Sequence, residues 1–137
     1  MTVIVVAPGQ GSQTPGFLEP WLAEPRFAEH LDALADAAGV DLRAHGTVSD
    51  ADTIRDTAIA QPLIVAASIM SLAGVLDGGR RDRIGGIAGH SVGELAAAAG
   101  AGILTDADAL RLVSLRGRAM AEAASQADTG MSAVIGA

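Results

Sequence analysis

The chain has 137 residues, half of them apolar, and its nine basic residues, all arginine, against sixteen acidic ones leave a net charge of −7. That is enough for one modest domain with one core, and the acidic balance argues against a nucleic-acid binder, which needs a basic footprint. The lack of cysteine excludes disulfides, thiolate chemistry and cysteine-based zinc sites.

Trp21, Phe17 and Phe27 are the only large aromatic residues, so the core falls to Ala, Val, Leu and Ile. The amino-terminal "MTVIVVAPGQ" lacks the basic leader of a signal peptide, and no stretch reads as a membrane span. The expected setting is the cytoplasm, with neither nucleic acid nor membrane as a partner.

Residues 2–7 read as a strand covered on both faces, because Val3, Ile4, Val5 and Val6 follow one another without a polar break. Pro8 ends it, and Gly9-Gln10-Gly11-Ser12-Gln13 is a tight loop. The loop is no dinucleotide fingerprint, since Thr14 fills the third glycine position, and no P-loop, since no Gly-Lys-Ser/Thr follows.

Residues 25–38 fit an amphipathic helix with Phe27, Leu31, Leu34 and Ala38 on one side and Glu29, Asp32 and Asp36 facing away; Gly39 stops it. Ser49 is placed to cap a short helix, with Asp52 three residues on. Gln61-Pro62 opens a long apolar helix to about residue 76. The loop after it carries Arg80, Arg81 and Arg83, which read as solvated charge rather than as phosphate contacts. Residues 84–88 read as a second strand, 92–99 as a helix, and 131–135 as a third strand. Between the last two, Thr105 caps a helix running to about residue 125, helped by Asp108 in its first turn. Strands alternating with helices imply an α/β fold with a mostly parallel sheet.

At the end of the second strand stands Gly89-His90-Ser91-Val92-Gly93. It matches the nucleophile-elbow pattern G-x-S-x-G in sequence and in its strand-before, helix-after context. A turn this sharp holds the serine in a strained conformation, and flanking glycines avoid clashes with strand and helix. Ser91 then sits at a helix amino terminus, where free N–H groups favour developing negative charge. The Val92 N–H is the natural first oxyanion donor. If the two strands are parallel, the glycine loop leaves the same sheet edge, and a Gln10 N–H can complete the hole.

In the last helix, at about 100° per residue, Arg116 falls away from Arg111, Arg118 and Glu122 and among Leu112, Ala119 and Met120. A guanidinium on an apolar face needs an anion. An internal carboxylate, a stem reaching out to solvent, and a carboxylate brought by a substrate all answer that need. A serine nucleophile also needs a base, usually histidine. His90 adjoins Ser91 but its side chain diverges at an elbow, while His30 and His45 are expected to be solvated, and no histidine follows Ser91.

Together "APGQGSQ", "DTAIAQP", "AGHSVGE", "LRGRAM" and "TGMSAVIG" stand in order and spacing as in the malonyl-CoA:acyl-carrier-protein transacylases, and the chain resembles that family and its relatives, the acyltransferase domains of fatty-acid and polyketide synthases. The resemblance implies part of an α/β-hydrolase-like large subdomain over residues 1–137, ending where a ferredoxin-like small subdomain begins in the family, that subdomain and the catalytic histidine being missing. It implies Ser91 as the acylated nucleophile, Gln10 and Val92 as oxyanion donors, Arg116 as the carboxylate ligand and Gln61 as a pocket wall. Val92 resembles the malonyl-selecting form of the elbow. The implied reaction is ping-pong malonyl transfer from malonyl-CoA to the phosphopantetheine thiol of acyl carrier protein, in fatty-acid biosynthesis, with no metal or prosthetic cofactor. This chain alone is expected to be inactive. A polyketide synthase domain and a non-catalytic binding or structural piece are the rival readings.

Overall fold

In the computed structural model, which describes residues 2–77 and 79–126, helices predominate and two strands form a small sheet. Strand β1 (Val3–Ala7) and strand β2 (Ile84–Gly89) pair in parallel, with Ala7 opposite Gly89 and a register shift between Val3 and Ile4. The connection carries α1 (Glu19–Leu22), α2 (Pro25–Ala38), α3 (Leu42–Thr47) and α4 (Thr57–Leu76). After β2 come α5 (Gly93–Gly100) and α6 (Asp106–Ser125). The fold is α/β, mostly helical with a small parallel sheet. The third strand expected at residues 131–135 lies outside the described residues.

Helix α2 follows its sequence closely. Pro25 begins it, Gly39 ends it at φ 64°, and Phe27, Leu31, Leu34 and Ala38 are its buried residues. Helix α4 is the central element, contacting α2, α3, α5 and α6. It is 20 residues long, and an 18-residue window of it has a mean hydropathy of 2.0, a length and composition that a core helix shares with a membrane span. Its apolar surface serves the core: Leu63, Ile64, Val65, Ala66, Ile69 and Met70 are all buried.

The start of α4 also differs. The helix begins at Thr57, where the Asp56 carboxylate accepts the Ala58 N–H at 2.7 Å, so Pro62 lies inside it rather than in its first turn. An earlier start places Thr57 and Gln61 one turn apart on one side of the helix. Ser49 caps nothing; its hydroxyl bonds His45 Nδ1 at 3.0 Å, and Asp50 receives the Thr53 N–H of a short 3-10 turn at 2.8 Å.

Among the described residues β1 is covered on one face. Ala7 is buried, but Ile4 and Val6 on the opposite side of the pleat are 59% and 73% exposed. Helix α5 contacts both strands.

Candidate active site

The parallel register delivers two loops to one edge. His90 N–H donates to the Ala7 carbonyl at 3.1 Å, so the chain leaves β1 and β2 side by side. The bare Cα of Gly9 lies against the His90 ring and carbonyl. The glycine loop is tied locally: Ser12 Oγ donates to Gly9 O at 3.0 Å, and Gly11 N–H donates to Gln13 Oε1 at 2.9 Å. It is also tied outward, with Gln13 Nε2 on Ile54 O at 3.0 Å and Gln10 Nε2 on Thr57 Oγ1 at 3.3 Å.

Ser91 is the one described non-glycine residue in the left-handed region, at φ 54°. That conformation costs a side-chain-bearing residue about 1–3 kcal/mol and persists only where surroundings enforce it. Here the enforcement is close packing. A methyl on Gly93 would stand 2.5 Å from the carbonyl oxygens of Ala7 and Pro8, and one on Gly89 would run into the Gly93–Glu94 peptide. Both flanking glycines therefore let β1, the elbow and α5 meet. Ser91 is exposed, whereas Val92 behind it is buried. Among the described residues, neither the Gln10 nor the Val92 N–H donates to a backbone carbonyl.

Arg116 completes the cluster. Its Nη1 donates to Gln61 Oε1 at 2.7 Å and its Nη2 to Ser91 Oγ at 3.3 Å. No carboxylate pairs with it among the described residues. Gln61 is 1% exposed and held from both ends, since its Nε2 also donates to Met120 Sδ at 3.3 Å. The arginine is half-buried at the rim of α6 rather than on its buried face. That face is Ala109, Leu110, Val113, Ser114 and Gly117, while Leu112, Ala119 and Met120 beside Arg116 are exposed. The bare Cα of Gly117 brings that face against the opening turn of α4.

His30 and His45 are half-buried rather than solvated. His30 Nε2 stands 3.1 Å from Asp106 Oδ2, and His45 bonds Ser49. Arg116 is the one hydrogen-bond partner of the Ser91 hydroxyl among the described residues. Arg80 and Arg81 donate to the Asp77 and Gly100 carbonyls at 3.0 and 3.2 Å. They stand by the opening residue of β2, about 20 Å of strand away from Ser91. Three residues that touch the site lay unassigned within the quoted motifs: Thr57, Gly117 and Met120. The spacing of Thr57 and Gln61 at i, i+4 was the available signal.

Residues 4–135 match the family described as acyl transferase domain. A malonyl CoA-acyl carrier protein transacylase of Mycobacterium tuberculosis (strain ATCC 25618 / H37Rv) is 46% identical over 138 residues, covering 98% of this chain and 45% of that protein. The protein of the same description from Escherichia coli (strain K12) is 39% identical over 133 residues, covering 96% and 42%. The crystal structure of MCAT from Mycobacterium tuberculosis aligns with a TM-score of 0.87 at 42% identity, over 92% of this chain and 42% of its own. The chain thus spans less than half the length of the curated relatives it matches.

Proposed function

We propose a function from one premise: the chain belongs to the acyl transferase domain family. The full-length protein transfers malonyl from malonyl-CoA to the phosphopantetheine thiol of acyl carrier protein, in cytoplasmic fatty-acid synthesis. The observation that carries this reading is the guanidinium of Arg116, bonded to Gln61 and Ser91 and free of any described carboxylate. A hydrolase acting on neutral esters has no use for an arginine at its serine. A malonyl thioester ends in a free carboxylate, which a guanidinium clamps with two parallel hydrogen bonds.

In the first half-reaction Ser91 Oγ attacks the thioester carbonyl, and the tetrahedral oxyanion is met by the Gln10 and Val92 N–H groups. The C–S bond breaks and CoA leaves as the thiol, carrying the proton lost by the serine. The carrier thiol then attacks the malonyl ester on Ser91: a new C–S bond forms, the ester C–O bond breaks, and the thiol's proton passes to Ser91 Oγ, restoring the hydroxyl. His30 and His45 bond Asp106 and Ser49, and among the described residues no histidine bonds the Ser91 hydroxyl, so we assign this proton to none of the three. Malonyl-CoA is the substrate, and the charges used come from side chains and backbone.

Incubating the natural full-length protein with malonyl-CoA is expected to add one malonyl group to the peptide containing Ser91, seen by mass spectrometry. Ser91→Ala is expected to abolish it. A malonyl adduct that persists in Ser91→Ala defeats the reading.

A further inference from the structure

We infer that Gly117 is a positioning residue for selection of the malonyl carboxylate, setting how closely α6 seats Arg116 against Gln61 and the Ser91 hydroxyl. The inference rests on the reading of Arg116 as the carboxylate clamp. Gly117 is the single glycine in the 20 residues of α6. Glycine mid-helix is unfavourable relative to alanine, so its presence asks for a local reason.

The reason lies across the seam. A methyl at position 117 would meet the Thr57 carbonyl oxygen at 3.0 Å, Ala58 Cα at 3.3 Å and Gln61 Cβ at 3.6 Å. The first two are backbone atoms of the opening turn of α4 and cannot rotate aside, so a methyl must move one helix by a few tenths of an ångström.

Two of those neighbours, Thr57 and Gln61, lead to a site residue. Thr57 holds Gln10 of the glycine loop through its hydroxyl. Gln61 receives Arg116, and Arg116 is the residue immediately before Gly117. Close approach at one glycine thus fixes the guanidinium relative to the amide that aims it and to the loop proposed to hold the oxyanion. A charge-assisted bond of 2.7 Å has little slack. Moving α6 outward therefore acts first on the carboxylate clamp, and less on a substrate with no carboxylate to clamp.

The test compares kcat/KM for malonyl-CoA and acetyl-CoA in the natural full-length protein and three variants. Gly117→Ala is expected to stay folded and to lose about tenfold in the malonyl-over-acetyl ratio, the scale of one weakened charged hydrogen bond, mainly through KM for malonyl-CoA. Val113→Ala, which loosens the same buried face of α6, is expected to lower the melting temperature and keep the ratio. Gln61→Asn withdraws the facing amide by one methylene and is expected to reproduce the loss of ratio, which keeps the test alive if Gly117→Ala does not fold.

A folded Gly117→Ala with the parental ratio, a parental ratio in Gln61→Asn, or an equal loss in Val113→Ala overturns the inference. Ser91→Ala labelling separates the two levels. If malonyl labelling depends on Ser91 and the ratio is insensitive to position 117, only the inference falls. If labelling does not depend on Ser91, the reading beneath it falls and takes the inference with it.

Discussion

Arg116 and Ser91, 25 residues apart in sequence, meet at 3.3 Å through Nη2 and Oγ. The contact joins the carboxyl end of β2 to the third turn of α6. If the cation serves the substrate, its removal costs discrimination more than bulk activity. Arg116→Ala is expected to lower the malonyl-over-acetyl ratio of kcat/KM by about 10–100-fold, as for loss of a hydrogen-bonded charge. Arg116→Lys keeps the charge without the fork and should fall between. Steady-state kinetics with both thioesters checks this, and unchanged selectivity in Arg116→Ala removes the clamp.

The partner of Arg116 on α4 is an amide, not a carboxylate, and that choice is testable. Gln61 aims the guanidinium through a 2.7 Å bond without neutralising it. Glutamate at the same place would form an internal ion pair and compete with the substrate. Gln61→Glu is therefore expected to raise KM for malonyl-CoA by about tenfold or more while acetyl transfer changes little. The same kinetics would contradict the argument if both substrates responded alike.

Much of this cluster was legible because its chemistry is local. Gly89 and Gly93 must be small for the turn that carries Ser91 to close, and Gly39 and Pro25 punctuate α2 by backbone rules alone. What was not legible depends on distant partners. Helix α3 seats the bare Cα of Gly46 against the Leu18 side chain, a fit that no periodicity announces. Pro62 reads as a helix start until Asp56 is seen capping the preceding turn. The exposure of Leu112, Leu115 and Met120 was not legible either, because the seam that α6 turns to α4 runs through Gly117, a residue that hydropathy alone ranks as weak.

The elbow stores strain that a substitution can release. Ser91 is held at φ 54°, where glycine rests at little cost. Ser91→Gly is expected to raise stability by up to about 1 kcal/mol while abolishing acylation, a trade of activity for stability. Denaturant unfolding measures the first effect and mass spectrometry the second. A clear loss of stability would mean that the hydroxyl contact to Arg116 outweighs the backbone strain.

Gly93 carries the opposite expectation. A methyl there would press on two backbone carbonyls of the β1 end at 2.5 Å, so the strand or the helix must move. Gly93→Ala is expected to cost about 1–3 kcal/mol by overpacking, or more if the turn cannot give. It should also slow acylation, because the Val92 N–H and the Ser91 hydroxyl ride on the same turn. Chemical denaturation and the rate of malonyl labelling together check it; a variant normal in both would show that the close approach is dispensable.

The amino end of α6 links acid stability to the helix that carries Arg116. Thr105 Oγ1 accepts the Asp108 N–H at 3.1 Å and donates to the Asp108 carboxylate at 2.8 Å, with Arg111 on the other oxygen at 2.9 Å. The Thr105 hydroxyl first, and Arg111 second, hold the Asp108 carboxyl below the usual carboxylate range. A lowered native pKa means that the folded state binds this proton less readily than the unfolded chain. Its stabilising contribution is therefore complete above about pH 4 and drains away as pH falls further. Thr105→Ala is expected to cost about 1 kcal/mol near neutrality, the usual worth of an N-cap. The gap in melting temperature between parent and variant should narrow from pH 5 to pH 3, since the variant has already lost the donor. Asp50, likewise lowered by its bonds to Thr53, contributes the same acid slope to both proteins and cancels in the difference. A gap that stays constant across that range would show that the cap works without the carboxylate.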